Sequence, residues 1–464
     1  MATQHPLPIH SVITFENSQG EKARGTLMRL TKTMIVLETY SPYSIVQLSE
    51  VLQNLAIHRG TSPVYQGKAV VCNLVNTGLM LIISATLVDS WLDIPDFRPG
   101  NDLRDETNRF IGDWKKNTNV LCPDYEICVG KIQNFLQEFS HWLEQNERIS
   151  GINNPDVPLE LKEEFFREID ETASLTFDEL FAEFNQVAEQ VPEKDLIAHK
   201  NYARQEIHPM TLCSPFLLRT YTKPLGYAGD YEMENMILRN EARGTNTYAR
   251  LIDSALLRTS AIEAHRNCIN RLVEHLDREG SRILAKNRRF RVLNIACGPA
   301  TEIQNFVTNS ALSDIMDIDL LDFNEETIDF TQAKVLKSKE IGGRKTQFQF
   351  IHNSIHALLK GKDGDEILDP KGYDFIYCAG LFDYLPDKVC IRLIQFFKRQ
   401  VKPGALVVCT NVSASRYAKG IMEHLQDWHV IPRNPKSFGK MADSFQFEVI
   451  TEPTGTNMFL EMRI

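Results

Sequence analysis

Residues 292–303 read VLNIACGPATEI. The apolar run around Asn294 opens through Ala296, Cys297, Gly298 and Ala300 into a stretch of helical character that starts near Glu302. A strand that ends in small residues before a helix lets backbone amides approach a ligand, and the helix N-terminus favours anionic groups. The spacing is not G-x-G-x-x-G, so a dinucleotide pyrophosphate is poorly served. On its own the turn also satisfies a plainer need, since many strand-to-helix turns require a glycine for positive φ.

Outward from this stretch the chain alternates strand and helix. Strand-like runs are Phe290–Ala296, Met316–Phe323, Gln347–Asn353, Tyr373–Gly380 and Ala405–Val412, with helical segments between them. Two further runs, Phe445–Glu452 and Asn457–Ile464, are strands with no helix between them. The expected fold class is therefore α/β: a Rossmann-like, doubly wound sheet of seven strands closed by an antiparallel C-terminal hairpin.

The ends of the later strands carry polar groups in a suggestive order. Asp322, with Phe323 and Asn324, closes the second strand, where an acid can accept both ribose hydroxyls of a nucleoside. It could instead cap the next helix, a task that Asn324 performs equally well. Asn353 and Ser354 follow the third strand, where a polar side chain can bond an adenine edge. Ala379, Gly380 and Phe382 follow the fourth. Ligands of open α/β sheets bind outside the carboxyl ends of the strands, so these signals converge on one crevice.

The order resembles class I S-adenosylmethionine-dependent methyltransferases over residues 285–464. The resemblance implies that the first turn holds the methionine portion of S-adenosylmethionine, the acid after the second strand the ribose, and the residue after the third the adenine. The sequence departs at Asn294, where an acid is common, and at Ala296 and Ala300, where glycines are usual. Glu302 could supply the missing negative charge toward the cofactor's amino group, or could be an acid that complements the helix dipole. Within this family the run Cys378-Ala379-Gly380-Leu381 lacks the Asn/Asp-Pro-Pro-aromatic motif of enzymes that flip a base. No cysteine follows a proline, as cytosine-C5 chemistry requires, and no loop with paired glutamates is evident.

Ahead of the sheet, Ser214–Met236 (SPFLLRTYTKPLGYAGDYEMENM) gathers Arg219, Lys223, Tyr221, Tyr227 and Tyr231 around Pro224, Gly226 and Gly229. Such a loop suits a lid or a substrate contact, or else a solvated turn with packing tyrosines. Together with Val292–Pro299, Leu320–Thr327 and Asp427–Arg433, it resembles the bacterial 3-hydroxypalmitate methyl ester synthase family over residues 160–464. That resemblance implies methylation of a fatty-acid carboxyl group. Arg219 or Lys223 would orient the carboxylate, Tyr227 would cover cofactor or substrate, and Asp230 would bind the cofactor or a substrate hydroxyl. Asp383 and Tyr384 are further candidates. A carboxylate is ionised at neutral pH and needs no general base, whereas a hydroxyl or amine acceptor would.

The first 95 residues are strand-like: Ser11–Glu16, Ala23–Leu30, Thr33–Tyr40 and the long run Ala69–Val88 are separated by polar turns. Their order resembles PilZ-type barrels, which bind cyclic di-GMP. The arginine arm and the Asp/Asn-x-Ser-x-x-Gly turn are both missing, so the resemblance implies a degenerate barrel used for packing or partner contact. Leu92–Asp102 reads as a linker. Helical periodicity follows at Asp124–Arg148, with Ile127, Ile132, Phe135, Phe139, Trp142 and Leu143 apolar, and at Leu159–Val191. That stripe fits either intramolecular packing or a homodimer. The expected domains are 1–95 (barrel), 96–285 (helical lid, substrate and dimerisation region) and 286–464 (methyltransferase).

Composition agrees with this plan. The 464 residues carry 51 Lys+Arg against 61 Asp+Glu, a formal charge of -10, which disfavours a phosphate backbone as partner. Nine scattered cysteines without C-x-x-C suggest a reducing, cytoplasmic setting without disulfides or zinc knuckles. No signal peptide or membrane span is expected. His352 and His356 straddle a strand end without an evident third ligand, so no metal is expected. The polar loop Lys360–Pro370 lacks the ligand spacing of a calcium loop. The sequence thus favours a methyltransferase acting on a small carboxylate or fatty-acid-like molecule. The alternatives are O- or N-methylation of another metabolite, and a signalling protein that only senses S-adenosylmethionine.

Overall fold

The computed structural model describes residues 12–31, 33–39, 46–59, 62–76, 81–89, 120–359 and 368–464, together with 104, 107, 108, 111 and 112. The linker Leu92–Asp102 and residues 360–367 of the polar loop lie outside them. The chain forms two compact units. One contains Met1–Ala228, Glu241–Thr259 and Ala418–His429; the other contains Gly229–Asn240, Ser260–Tyr417 and Val430–Ile464.

The first unit opens with a closed antiparallel barrel of six strands: β1 (Val12–Glu16), β2 (Lys22–Leu30), β3 (Met34–Thr39), β4 (Val51–Arg59), β5 (Ser62–Asn76) and β6 (Leu81–Leu87), in the order β1-β2-β3-β6-β5-β4. Alternation drives closure: Leu81, Ile83, Ala85 and Leu87 on β6 face Ile35 and Leu37 of β3 in the same interior. The sequence reading missed β4. Asn54 takes φ 49° there and the register slips between Leu52 and Leu55, so the bulge breaks the period of two by which strands are recognised. The run Ala69–Val88 is two strands, because β5 and β6 pair antiparallel with each other.

Helices α1 (Pro123–Ser150), α2 (Leu159–Glu189), α3 (Leu196–Thr211), α4 (Pro215–Thr222) and α6 (Thr247–Leu257) complete this unit; α5 (Tyr231–Arg239) belongs to the other. The buried stripe of α1 is Tyr125, Cys128, Val129, Ile132, Leu136 and Leu143, whereas Ile127 and Trp142 are exposed. The expected stripe was thus rotated: Tyr125 and Cys128 replace Ile127 because a polar partner, His424, waits inside for the Tyr125 hydroxyl at 2.7 Å. Apolar side chains including Leu136, Phe177, Phe184, Ile207 and Ile421 line a cavity of about 20 Å³. No helix among the described residues is long and apolar enough to cross a membrane.

A buried ionic knot ties α3 to the segment that follows a π-helical turn at Gly420–Leu425. Asp427, at φ 51°, accepts from Arg204 at 2.8 Å and lies 3.2 Å from His429 Nε2. Burial alone would raise the Asp427 carboxyl, but Arg204, His429 and Lys223 hold it well below the usual carboxylate range. Ser49 of the barrel donates to the His429 carbonyl oxygen at 2.9 Å, which anchors the barrel to the same knot.

The second unit is the expected seven-stranded sheet with its C-terminal hairpin. Its strands are β7 (Phe290–Ile295), β8 (Met316–Asp322), β9 (Gln347–His352), β10 (Tyr373–Cys378), β11 (Val401–Val412), β12 (Gln446–Thr451) and β13 (Asn457–Arg463). They lie in the order β9-β8-β7-β10-β11-β13-β12, with β7 to β11 parallel and β13 antiparallel to both β11 and β12. Both faces are buried. Phe290, Val292, Ile318, Leu320, Phe375 and Tyr377 share one core with α7 (Ser260–Leu284), α8 (Thr301–Asn309) and α9 (Glu325–Gly342). Leu293, Ile295, Leu321, Ile376 and Cys378 share the other with α10 (Ile355–Leu358), α11 (Asp387–Gln400) and α12 (Pro435–Gly439). Two covered faces explain why these strands read as continuous apolar runs.

Replacing Asp427 by Ala would leave Arg204 and Lys223 buried without their counter-charge. The expected cost is about 3–5 kcal/mol, read as a lowered urea midpoint without a change in the slope of the transition.

Candidate functional site

The order of strands reverses between β7 and β10, so the crevice at their carboxyl ends is a topological switch point. The turn there is strained. Ala296 (φ 55°), Gly298 (φ 50°) and Ala300 (φ 49°) are all left-handed, three such residues within five. The two alanines adopt the conformation for which glycine is usual, at a cost of about 1–2 kcal/mol each. Surrounding bonds hold them. The Cys297 amide donates to the Leu321 carbonyl oxygen at 3.0 Å, and the Thr331 hydroxyl donates to the Gly298 carbonyl oxygen at 2.6 Å. The Gly298 amide donates to Asp322 Oδ2 at 3.2 Å. Strain retained by such a net is common at ligand sites.

Three acids surround this turn. Asp322 is 5% exposed and accepts from the Gly298 amide and, through Oδ1, from the Asn324 amide at 3.0 Å. Glu302 is 3% exposed; its Oε1 accepts from Asn294 Nδ2 at 2.9 Å and from the Tyr377 hydroxyl at 2.6 Å. Glu234, on α5, places both carboxylate oxygens 3.0 Å from where a Cβ on Gly298 would stand. Burial pushes Asp322 up to about 6 against the pull of its backbone donors, and pushes Glu302 up to about 7 against Tyr377. Glu234 is raised well above the usual range by burial, then by Glu302, Asp322 and Asp230. The same surroundings push the Cys297 thiol well up, so it is a poor nucleophile.

The remaining cofactor candidates sit along the same edge. The Phe323 carbonyl oxygen accepts from His352 Nε2 at 2.8 Å, and Asn324 caps α9 through the Thr327 amide. The Asn353 amide donates to the Asp322 carbonyl oxygen at 2.9 Å, which ties the ends of β8 and β9; Ser354 caps α10. Ala379 and Gly380 (φ 79°) follow β10, and the Gly380 amide donates to Thr410 Oγ1 at 2.8 Å. Phe382 is buried, and its carbonyl oxygen accepts from Arg433 at 2.7 Å. Asp383 accepts from the Val412 amide at 2.7 Å, and burial raises it to about 7.

The acceptor candidates divide between the units. Asp230 and Tyr231 lie in the unit that holds the sheet. Asp230 caps α5 through the Met233 amide at 2.8 Å, and Tyr231 donates to Glu326 at 2.8 Å while its ring lies 4.6 Å from that of Phe330. Arg219, Lys223 and Tyr227 lie in the other unit. Lys223 is 2% exposed, takes φ 46° as the C-cap of α4 and donates to the Gln426 carbonyl oxygen at 2.9 Å. Burial lowers it to about 8. Arg219 and Tyr227 are half-buried.

Sequence reasoning missed Glu234, Tyr377, Thr331, Thr410 and Arg433. Tyr377 left a signal: a tyrosine within a strand buried on both faces needs a partner for its hydroxyl. Arg433 likewise required an explanation, because its guanidinium closes the loop after β10 through Phe382, Leu385 and Asp387. Glu234 left no signal among the acids of α5. Among the described residues no group of three or more His, Cys, Asp or Glu side chains is arranged to hold a metal.

Two expectations follow from this geometry. Gly298→Ala should lower stability by about 1–2 kcal/mol through left-handed strain, whereas Ala296→Gly and Ala300→Gly should be neutral or stabilising in urea denaturation. Asp322, Glu302 and Asp383 have folded-state pKa values above their unfolded ones. Their contribution is therefore full below about pH 4 and is lost as pH rises through about 6 to 7. The ligand-free melting temperature should fall between pH 5 and 8, and less so in Glu302→Gln.

Residues 225–414 match a protein-family model described as "Putative methyltransferase". A search of curated proteins by sequence finds no match. Among solved structures, a protein of Bordetella parapertussis described as a possible exported protein is 17% identical, over 53% of this chain and 85% of that one, with a TM-score of 0.41. The magnesium protoporphyrin IX methyltransferase of Synechocystis is 12% identical, over 53% and 97%, with a TM-score of 0.34. The N-methyltransferase NodS of Bradyrhizobium japonicum is 10% identical, over 42% and 86%, with a TM-score of 0.29. The fold assignment stands on the strand order, and together with the family match it makes the sheet-bearing unit a methyltransferase domain.

Proposed function

We propose that the protein is an S-adenosylmethionine-dependent methyltransferase of a small molecule, with the carboxylate of a 3-hydroxy fatty acid as its acceptor. The observation that carries the cofactor reading is the Asp322 carboxylate, bonded to the Gly298 amide of the left-handed turn at the switch point. The residues present suit such a cofactor. Glu234, Glu302 and Asp322 gather around the turn, where their surroundings disfavour ionisation, and a ligand with a net positive charge favours their ionised forms.

When bound, S-adenosylmethionine supplies an electrophilic methyl group on sulfur. Asp322 would accept the ribose hydroxyls while its bonds to Gly298 and Asn324 keep it oriented. Glu302, fixed by Asn294 and Tyr377, would lend negative charge beside the turn. Asn353 and Ser354 would line the adenine side, and Ala379, Gly380 and Phe382 its other wall. A carboxylate acceptor needs only orientation and exclusion of water, because it is already ionised. Arg219 or Lys223 would orient it, with Tyr227 as cover; Lys223 also donates to the Gln426 carbonyl oxygen. The PilZ-like barrel, residues 1–95, serves packing or partner contact in this reading, ahead of a helical region at 96–285.

Incubation with S-adenosylmethionine and a series of 3-hydroxy fatty acids, followed by mass spectrometry, should yield methyl esters and S-adenosylhomocysteine in equal amounts. Methylation of hydroxyl or amine metabolites alone would move the acceptor to that class, and binding without turnover would make the protein a sensor. Asp322→Ala should weaken S-adenosylhomocysteine binding at least about tenfold, the loss of one charged hydrogen bond. Arg219→Ala should raise KM for the acceptor and leave cofactor affinity unchanged.

A further inference from the structure

Helix α5 is short, and its placement is tightly determined. Asp230 caps it, Met233 and Ile237 are buried beneath it, and Tyr231 pins its first turn to α9. One turn after the cap, Glu234 lays its carboxylate against Gly298, in the space a side chain at that position would have taken. On its other side stands His265 of α7, whose Nε2 is buried, lacks a hydrogen-bond partner and lies 3.8 Å from Glu234 Oε2. The remaining titratable groups around it are Asp230 on its own helix, Glu302 on α8, Asp322 at the end of β8 and the Cys297 thiol in the turn. The charges acting on Glu234 are all negative, and His265 is lowered to about 4 by burial, so it is neutral at physiological pH.

Among the described residues no charged cation is placed against this carboxyl group. We propose that Glu234 is the carboxylate that receives the ammonium group of the cofactor's methionine portion, giving up its own proton to solvent as the cofactor binds. This rests on the S-adenosylmethionine reading above. The Glu234 side chain is half-buried, and in the free protein desolvation and three neighbouring carboxylates favour its protonated form. A cation alongside reverses that preference, so binding and proton release are linked. Binding should therefore tighten as pH rises toward the range where Glu234 ionises unaided.

Calorimetry of S-adenosylhomocysteine binding at pH 7.5, in two buffers of different ionisation enthalpy, counts the protons released. Wild type should release up to about one proton per site, and an analogue lacking the amino group should bind more weakly without that release. Glu234→Gln should bind about tenfold more weakly and release little, and Glu234→Asp should restore part of both. Melting curves of each variant show that the fold is intact, and the analogue tests the same point on the unaltered protein. Equal heats in both buffers for wild type, or undiminished release in Glu234→Gln, would overturn the role of Glu234 while leaving the cofactor in place. Failure of wild type to bind S-adenosylhomocysteine would instead overturn the cofactor reading itself.

Discussion

The bond from the Gly298 amide to the Asp322 carboxylate joins the ends of two neighbouring parallel strands, β7 and β8, beside the switch point between β7 and β10. Much of the site follows from it. Asp322 is fixed from β8, and the turn after β7 that donates to it has left-handed backbone at Ala296, Gly298 and Ala300. Gly298 has no side chain where α5 passes, and Glu234 occupies the space. The Asp322 carbonyl in turn accepts from Asn353, so the third strand end is registered to the same carboxylate residue.

Electrostatics gives this arrangement a direction. Several carboxylates are held in one buried crevice, and their burial and mutual repulsion raise their pKa values rather than being neutralised by local arginines. The contrast within the same chain is instructive. Asp427 is equally buried, yet Arg204, Lys223 and His429 surround it and depress it. One buried acid is paired with cations from within and serves stability; for the others the proposed cofactor would supply the positive charge. A fold optimised for stability alone would pair them.

Much of the sheet was legible in the linear chain because a strand buried on both faces must be apolar throughout, and Tyr373–Cys378 or Phe290–Ile295 can hardly be read otherwise. Strand ends were legible because Asp322, Asn353 and Gly380 interrupt such runs. The barrel was partly legible, and β4 escaped because the bulge at Asn54 removes the alternation that marks a half-buried strand. The face of α1 was misplaced for a related reason: a hydroxyl satisfied in the interior can be buried more deeply than an isoleucine, and periodicity counts only apolar residues.

Sequence by itself therefore determined the class of sheet, the succession of its strands along the chain and the carboxylate that ends the second of them, since these depend on local periodicity and on which residues end each strand. Tertiary structure alone decided which acids gather there. Glu234 is 64 residues before Gly298 in sequence and reaches it only because Tyr231 and the buried face of α5 fix that helix on the sheet-bearing unit. It also decided that two alanines would serve where glycine is usual, because bonds from Leu321, Asp322 and Thr331 outweigh the local strain. Proximity across long stretches of chain is a property of packing, and no pattern of neighbours along the sequence encodes it.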